Sequence, residues 1–252
     1  MPNLPPESPA PKVAVLIAAA GSGTRMGRDG PPGNKVLLPL GGEPLLRHTV
    51  RAFLTLPVSL TLRIVARRED FGALERAFSD RRNWPQLGAW IEGGTERQDS
   101  VRLGLEALAA DPSGAPDWVL VHDGARPLVS RALIQRVLDA LRIHSAVVPV
   151  VPVFDTVRKS SPTRQSEGVL DRSGLRLCQT PQGFHWNTLW QAHLRARADG
   201  FKGTDDGQLV ERLGQAVTLV DGELHNFKVT LPDDVALAEW AQAHPEWGRA
   251  HT

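Results

Sequence analysis

The sequence predicts an α/β fold: a mostly parallel, twisted sheet with helices on both faces, plus an extended β-arm. Three observations predict it. Residues 13–20, VAVLIAAA, form a continuous apolar run without polar alternation, the pattern of a strand buried on both faces as in a parallel sheet. Further strand-like runs at 60–66, 118–121 and 146–150 are separated by segments with helical apolar spacing, the alternation expected of βαβ units. Between about residues 152 and 178, two strand-like pieces flank a polar turn, which reads as a hairpin able to reach a second copy of the chain.

The elements follow in order. Residues 1–11 hold five prolines and little that is apolar, so they read as a disordered tail, and 12–252 as one domain. After the first strand comes a glycine-rich loop whose tip, 28–34, carries Asp-Gly-Pro-Pro-Gly-Asn. That tip suits neither helix nor strand and is expected to be mobile without ligand. Gly41-Gly42 marks a turn. Residues 45–56 have apolar positions 45, 46, 50, 53 and 54, a helical spacing. Strand 60–66, a helix over 69–78 and a short strand at 89–91 follow. Thr95 and Gln98 have capping-box spacing, so a helix is expected to start there. Strand 118–121, helix 131–141 and strand 146–150 lead into the arm. Helices over 185–198 and 207–213, strands at 216–220 and 226–230, and a helix over 232–243 complete the chain.

Bulk properties narrow the function. The 252 residues are 41% apolar and 23% charged, with a formal net charge of +1. That balance implies no broad cationic field for nucleic acid, so any phosphate recognition must be local. The single cysteine, Cys178, excludes an internal disulfide and suits a reducing compartment such as the cytoplasm. No apolar run reaches the length of a membrane span. Lys12 and the eight apolar residues after it also outline a short secretory signal, at the lower limit of length for one.

The chemistry concentrates in a few motifs. Gly21 and Gly23 let the backbone turn sharply beside a ligand, and such a loop directs peptide N–H groups at an anion. Arg25 and Lys35 add positive charge where a polyphosphate would lie. The dinucleotide fingerprint is not met: Met26 stands at its third glycine and Gly27 comes one residue late. A P-loop is not met either, for want of a following Gly-Lys-Ser/Thr. A plain structural turn with surface charges remains open. In Gly93-Gly94-Thr95-Glu96-Arg97-Gln98-Asp99-Ser100, the glycines admit a base or ribose, or merely precede a capped helix. Asp123 ends a buried strand, where open α/β sheets bind ligands. It suits Mg²⁺, which takes oxygen ligands, or a turn cap. Asp205 and Asp206 stand at a helix start, where capping suffices to explain them. Lys228, expected inside a strand, needs a reason for its ordering.

These motifs, AAAGSGTRMG with a later lysine, Gly-Gly-x-x-Arg-x-x-Ser, His-Asp-x-Ala-Arg-Pro, Asp-Arg and Asn-x-Lys-x-Thr, occur in order over about residues 12–243. Together they resemble the cytidylyltransferases that act on sugar-alcohol phosphates, in particular the 2-C-methyl-D-erythritol 4-phosphate cytidylyltransferase family of the non-mevalonate isoprenoid pathway. The resemblance implies a Rossmann-like domain that moves the CMP moiety of CTP onto methylerythritol phosphate. The products would be 4-diphosphocytidyl-2-C-methyl-D-erythritol and pyrophosphate, with Mg²⁺ as cofactor. It implies nucleotide binding by Ala19, Ala20, Gly21, Gly23, Gly94, Thr95, Arg97, Ser100 and Asp123. Asp123 would also serve the metal and, with Arg126, Thr156, Arg172 and Lys228, the acceptor. Arg25, Lys35, Arg172 and Lys228 would be catalytic. The arm would form a homodimer, and Arg172 would enter the partner's site. The chain departs from the family at Asn34-Lys35-Val36-Leu37, where Pro-Lys-Gln and an aromatic are usual, and in a longer loop before Lys35. A ribitol 5-phosphate cytidylyltransferase, a sugar-1-phosphate nucleotidyltransferase of another base and a nucleotide-binding module without turnover are the alternatives.

Overall fold

The computed structural model describes residues 10–21, 34–56 and 58–247. Most of the proline-rich tail, the loop tip before Asn34, Gly23 and Arg25 lie outside the described residues. The chain opens on β1 (Val13–Ala18), then β2 (Pro39–Leu40) and β3 (Glu43–Pro44) in a small hairpin. Gly41 and Gly42 turn that hairpin at φ +60° and +87°, the pair of left-handed residues that a tight hairpin favours. α1 (Leu45–Leu54), β4 (Leu60–Ala66), α2 (Phe71–Ala77), β5 (Ile91–Glu92) and α3 (Arg97–Ala109) follow. Next come β6 (Trp118–Asp123), α4 (Arg131–Leu141) and β7 (Ala146–Pro152). The arm holds β8 (Val157–Ser160) and β9 (Ser166–Leu170), and β10 (Arg176–Cys178) returns from it. β11 (Gln182–His185), α5 (Trp186–Ala198), α6 (Asp206–Arg212), β12 (Thr218–Asp221) and α7 (Asp233–Ala243) end the described chain.

The main sheet is mixed, with parallel central strands. β1 lies between β4 and β6 and is parallel to both, and β5 continues the parallel set beyond β4. β11 is antiparallel and sits between β6 and β7. β12 runs parallel along the other edge of β7, while β10 pairs with the far end of β7. The antiparallel β11 has no counterpart among the strands that the sequence predicts. Its four residues, QGFH, are too short and too polar to show a strand pattern, and the core around them decides their conformation.

The apolar run of β1 is buried on both faces as expected. Val13, Val15 and Ile17 join a core with Phe53 of α1, Leu74 of α2 and Leu138 of α4. Ala14 and Leu16 join a second core with Leu105 of α3, Leu189 and Ala192 of α5 and Leu209 of α6. A run apolar at every position is therefore what a central strand between two helical layers requires.

Two local expectations need correction. α3 begins at Arg97 with Glu96 as N-cap and no side-chain cap bond, so the Thr95–Gln98 capping box does not form. Gln98 instead bridges the loop before α6, donating from Nε2 to the Phe201 carbonyl (2.9 Å) and accepting from the Gly203 N–H at 2.8 Å. Residues 226–230 form no strand. They run as a loop held by the Arg126 guanidinium on the Asn226 carbonyl (2.8 Å) and by the Val229 N–H on the Ala125 carbonyl (2.8 Å).

Candidate active site

β1 and β6 are in register so that Ala18 faces Asp123, and both strands end at one cleft of about 560 Å³. This is the carboxyl edge of the parallel strands, the usual ligand site of open α/β sheets. From β1, Ala19, Ala20 and Gly21 line the cleft; from the segment before and into α3, Gly94, Thr95, Arg97 and Ser100 do so. Lys35, Asp123 and Lys228 complete the set of predicted residues that meet there. The glycine pair is needed for close approach. A Cβ on Gly93 would lie 2.6 Å from the Ala20 Cβ, and one on Gly94 would lie 2.4 Å from the Asp99 Cβ. Ser100 Oγ accepts from the Gly94 N–H (3.1 Å) and donates to the Glu96 carbonyl (3.0 Å), which ties the glycine turn to the first turn of α3.

Asp123 is the hub. Arg97 Nε donates to its Oδ1 at 3.2 Å, Lys228 Nζ lies 3.0 Å from its Oδ2, and Arg126 Nε reaches Oδ2 at 3.4 Å. Burial alone would raise its pKa; the charges of Arg97, Lys228 and Arg126 outweigh burial and hold the carboxyl well below the usual range. Arg97 also donates to Asp206 Oδ2 at 2.7 Å, and Asp206 Oδ1 meets His193 Nε2 at 3.0 Å. Burial opposes ionisation of Asp206 too, yet Arg97 and His193 bring it down to about 2. Lys35 Nζ donates to the carbonyl of Val229, the neighbour of Lys228, at 2.8 Å. Four cations thus face two carboxylates, an excess of positive charge suited to a polyphosphate.

His122 buttresses the hub from below. The Arg126 carbonyl (3.2 Å) can only accept, so Nε2 carries the proton; Nδ1 then accepts from the Thr180 hydroxyl at 3.0 Å. Thr180 Oγ1 in turn accepts from the Asp123 N–H at 3.0 Å. Burial pushes His122 down to about 4, so the ring stays neutral and serves as a spacer.

Some residues of the site had little signal in the sequence. Arg67 and Asn34 line the cleft. Asp206 and its neighbour Asp205 divide their work: Asp205 caps α6, accepting from the Gln208 N–H at 2.9 Å, whereas Asp206 joins Arg97. Two adjacent acids where one cap suffices were the available signal. Arg126 reaches the site through Asp123 and does not line the cleft. Thr156 and Arg172 lie exposed on the arm and are not among the cleft residues; Arg172 donates to the Phe154 carbonyl at the base of its own arm.

Among the described residues no group of three or more His, Cys, Asp or Glu gathers as a metal cage. The donor set present is one ionised carboxylate, Asp123, with three of its roughly four lone-pair directions taken by cations. That fits a Mg²⁺ carried largely by phosphate oxygens and water, the usual manner for this ion.

Comparisons with known proteins identify the family. The protein-family model described as "IspD: 2-C-methyl-D-erythritol 4-phosphate cytidylyltransferase" matches residues 13–243. The chain is 42% identical over 225 residues to the 2-C-methyl-D-erythritol 4-phosphate cytidylyltransferase of Prochlorococcus marinus strain MIT 9313, covering 89% of this chain and 96% of that one. It is 45% identical over 231 residues to the bifunctional enzyme IspD/IspF of Rhodospirillum rubrum, where the match covers 90% of this chain and 56% of that enzyme. The chain therefore spans little more than half of the bifunctional relative. The crystal structure of 2-C-methyl-D-erythritol 4-phosphate cytidylyltransferase from Thermus thermophilus superposes with a TM-score of 0.74 at 36% identity, covering 92% of this chain and 99% of that one.

Proposed function

Because the chain belongs to the 2-C-methyl-D-erythritol 4-phosphate cytidylyltransferase family, a family of nucleotidyltransferases, we propose that it transfers the CMP moiety of CTP to 2-C-methyl-D-erythritol 4-phosphate and releases pyrophosphate. The observation that carries this reading is the meeting of Arg97, Arg126 and Lys228 on Asp123, with Lys35 beside Val229.

The acceptor phosphate attacks the α-phosphorus of CTP, and pyrophosphate leaves in line. Both reactants are anions, and two like unit charges about 4 Å apart repel by roughly 4 kcal/mol at an effective dielectric near 20. Lys35, Lys228 and Arg25 offset that repulsion and the charge that builds on the equatorial oxygens. The backbone of Ala19, Ala20 and Gly21 cradles the phosphates, and the motif assigns Gly23 to the same site. Gly94, Thr95 and Ser100 hold the cytidine, and Arg97 is fixed between Asp123 and Asp206 to meet the nucleotide at a set angle. Arg126 and Lys228 orient the acceptor. A phosphate nucleophile already lacks its proton near neutral pH, so no side chain need act as base. The low pKa of Asp123 and the buried neutral His122 agree with that. Asp123 is the residue that would hold Mg²⁺, which when bound supplies neutralising charge to the phosphate oxygens.

The arm carries the second half of the reading. Phe154, Val169 and Leu177 are 63%, 57% and 55% exposed, and such apolar side chains suit a cover by a second copy. Thr156 and Arg172 then serve the acceptor site of the partner subunit in a homodimer. No helix among the described residues is long and apolar enough to cross a membrane, and the unpaired, exposed Cys178 suits a cytoplasmic location.

Pyrophosphate release tests the reaction. CTP with methylerythritol phosphate should turn over far faster than CTP with ribitol 5-phosphate or any other nucleoside triphosphate with the same acceptor. No release with the first pair would refute the assignment.

A further inference from the structure

We propose that Asp70 is a positioning residue for Lys35 and acts through a side-chain relay on Asn34, the residue that precedes the lysine. The inference rests on the functional reading above, which gives Lys35 its role in the reaction.

The relay is laid out in three contacts of Asn34. Asn34 Nδ2 donates to the Ala19 carbonyl at 2.6 Å and to Asp70 Oδ2 at 2.9 Å, and Asn34 Oδ1 accepts from the Val36 N–H at 3.3 Å. Both donors and the acceptor of one amide are thus in use, and a flipped amide would set like groups against each other at all three. The third of these bonds caps the short 3-10 turn Lys35–Leu37, so the amide fixes the backbone from which Lys35 extends. The first returns the chain to the end of β1, at one of the predicted nucleotide-binding residues. Asn34 is 4% exposed and Asp70 6%, so neither can exchange its partner for bulk water.

Asp70 does not line the cleft. It is itself clamped by Arg67, whose Nε and Nη2 reach Oδ2 and Oδ1 at 2.9 and 3.1 Å. The two-pronged contact sets the plane of the carboxylate, and Oδ2 is thereby aimed at Asn34. Without that acceptor a buried amide hydrogen is left unpaired, a state that native structures avoid. The amide then turns, the cap on the 3-10 turn is lost, and the Lys35 ammonium leaves its place beside Val229 and Lys228. Arg67 does line the cleft, so Asp70 has a second route of action open to it, through nucleotide binding, and the test separates the two.

Asp70→Asn keeps the volume but sets an NH₂ against Asn34 or Arg67. It is assayed by pyrophosphate release from CTP and methylerythritol phosphate, alone and combined with Lys35→Ala. A displaced catalytic group lowers kcat by roughly 10- to 100-fold, and here the KM for CTP should stay within about two-fold. In the Lys35→Ala background the same substitution should cost nothing further, because the relay has no lysine left to position. Full loss in both backgrounds, an unchanged kcat, or a raised KM with intact kcat would overturn the proposal, the last by assigning Asp70 to Arg67 instead. Thermal unfolding checks that the variant is folded; if it is not, Asn34→Ala, which removes only the relay amide, takes its place in the same cycle. Turnover by the wild-type chain with an unaffected Asp70→Asn variant sinks the relay alone. A wild-type chain without turnover sinks the functional reading, and the relay with it.

Discussion

In the cleft, Arg97 is held by two carboxylates and Lys228 by one; behind it, Arg126 is held by a carboxylate and two backbone carbonyls. On the arm, β8 and β9 pair with each other, Thr156 is exposed, and the exposed Arg172 guanidinium donates to the Phe154 carbonyl. The cleft groups are positioned several times over from within the chain, so they are preorganised for charge before any ligand arrives. The arm groups are positioned by little, while apolar side chains beside them face solvent. The difference separates groups that one chain fixes by itself from groups that the proposed second copy would fix.

The largest expected effects break the comparison at its two ends. Lys35→Ala should lower kcat by ~10²–10³ with a smaller change in CTP binding. Arg172→Ala should lower kcat as well, while leaving thermal unfolding within about 0.5 kcal/mol, because the residue is an exposed one on a surface hairpin. Equal mixing of the two variant subunits then discriminates. In half of the dimers one of the two sites regains both groups, so about a quarter of the wild-type rate should return if partners share sites in a two-fold dimer. No recovery in confirmed mixed dimers would confine Arg172 to its own subunit.

A second, smaller effect concerns the support beneath the hub. His122 falls from its ordinary 6.5 to about 4 through burial. Between those values the unfolded chain binds a proton that the folded chain does not, so stability is lost as pH falls from 6.5 toward 4. The slope is about 1.4 kcal/mol per pH unit for one group. Asp123 and Asp206, both lowered below their ordinary 3.8, lose their contribution only at still lower pH. Denaturant titrations between pH 6.5 and 5 should therefore report His122, and His122→Gln should flatten that part of the curve. An unchanged slope would show that the ring is protonated in place.

What the sequence made legible divides along physical lines. The run at 13–20 has no polar residue, so a strand buried on both faces was readable from it, as were the glycines at 93 and 94 that close approach demands. Asp123 could be placed because its strand is apolar and ends in a glycine turn. Lys228 was found by its motif and not by its local structure, since the strand expected around it does not form. Long-range pairing was not legible: nothing local tells that Asp206 turns toward Arg97, 109 positions earlier, or that Asn34 finds Asp70. Such contacts are decided by how the layers stack, after the local elements are set.

The smallest effect tests how sharply the cleft is bounded. Asp205 and Asp206 are neighbours of the same type, yet the first accepts from the Gln208 N–H and from Gln182 Nε2 at 2.8 Å, outside the charge network. Removing an N-cap acid costs about 1 kcal/mol, so Asp205→Ala should lower stability by about that much and leave kcat within about two-fold. Asp206→Ala should do the reverse in kind: with Arg97 released from one of its two anchors, the KM for CTP should rise by roughly ten-fold, the scale of a lost charged hydrogen bond. Equal effects of the two substitutions on CTP would mean that the loop, and not the carboxylate of Asp206, sets the place of Arg97.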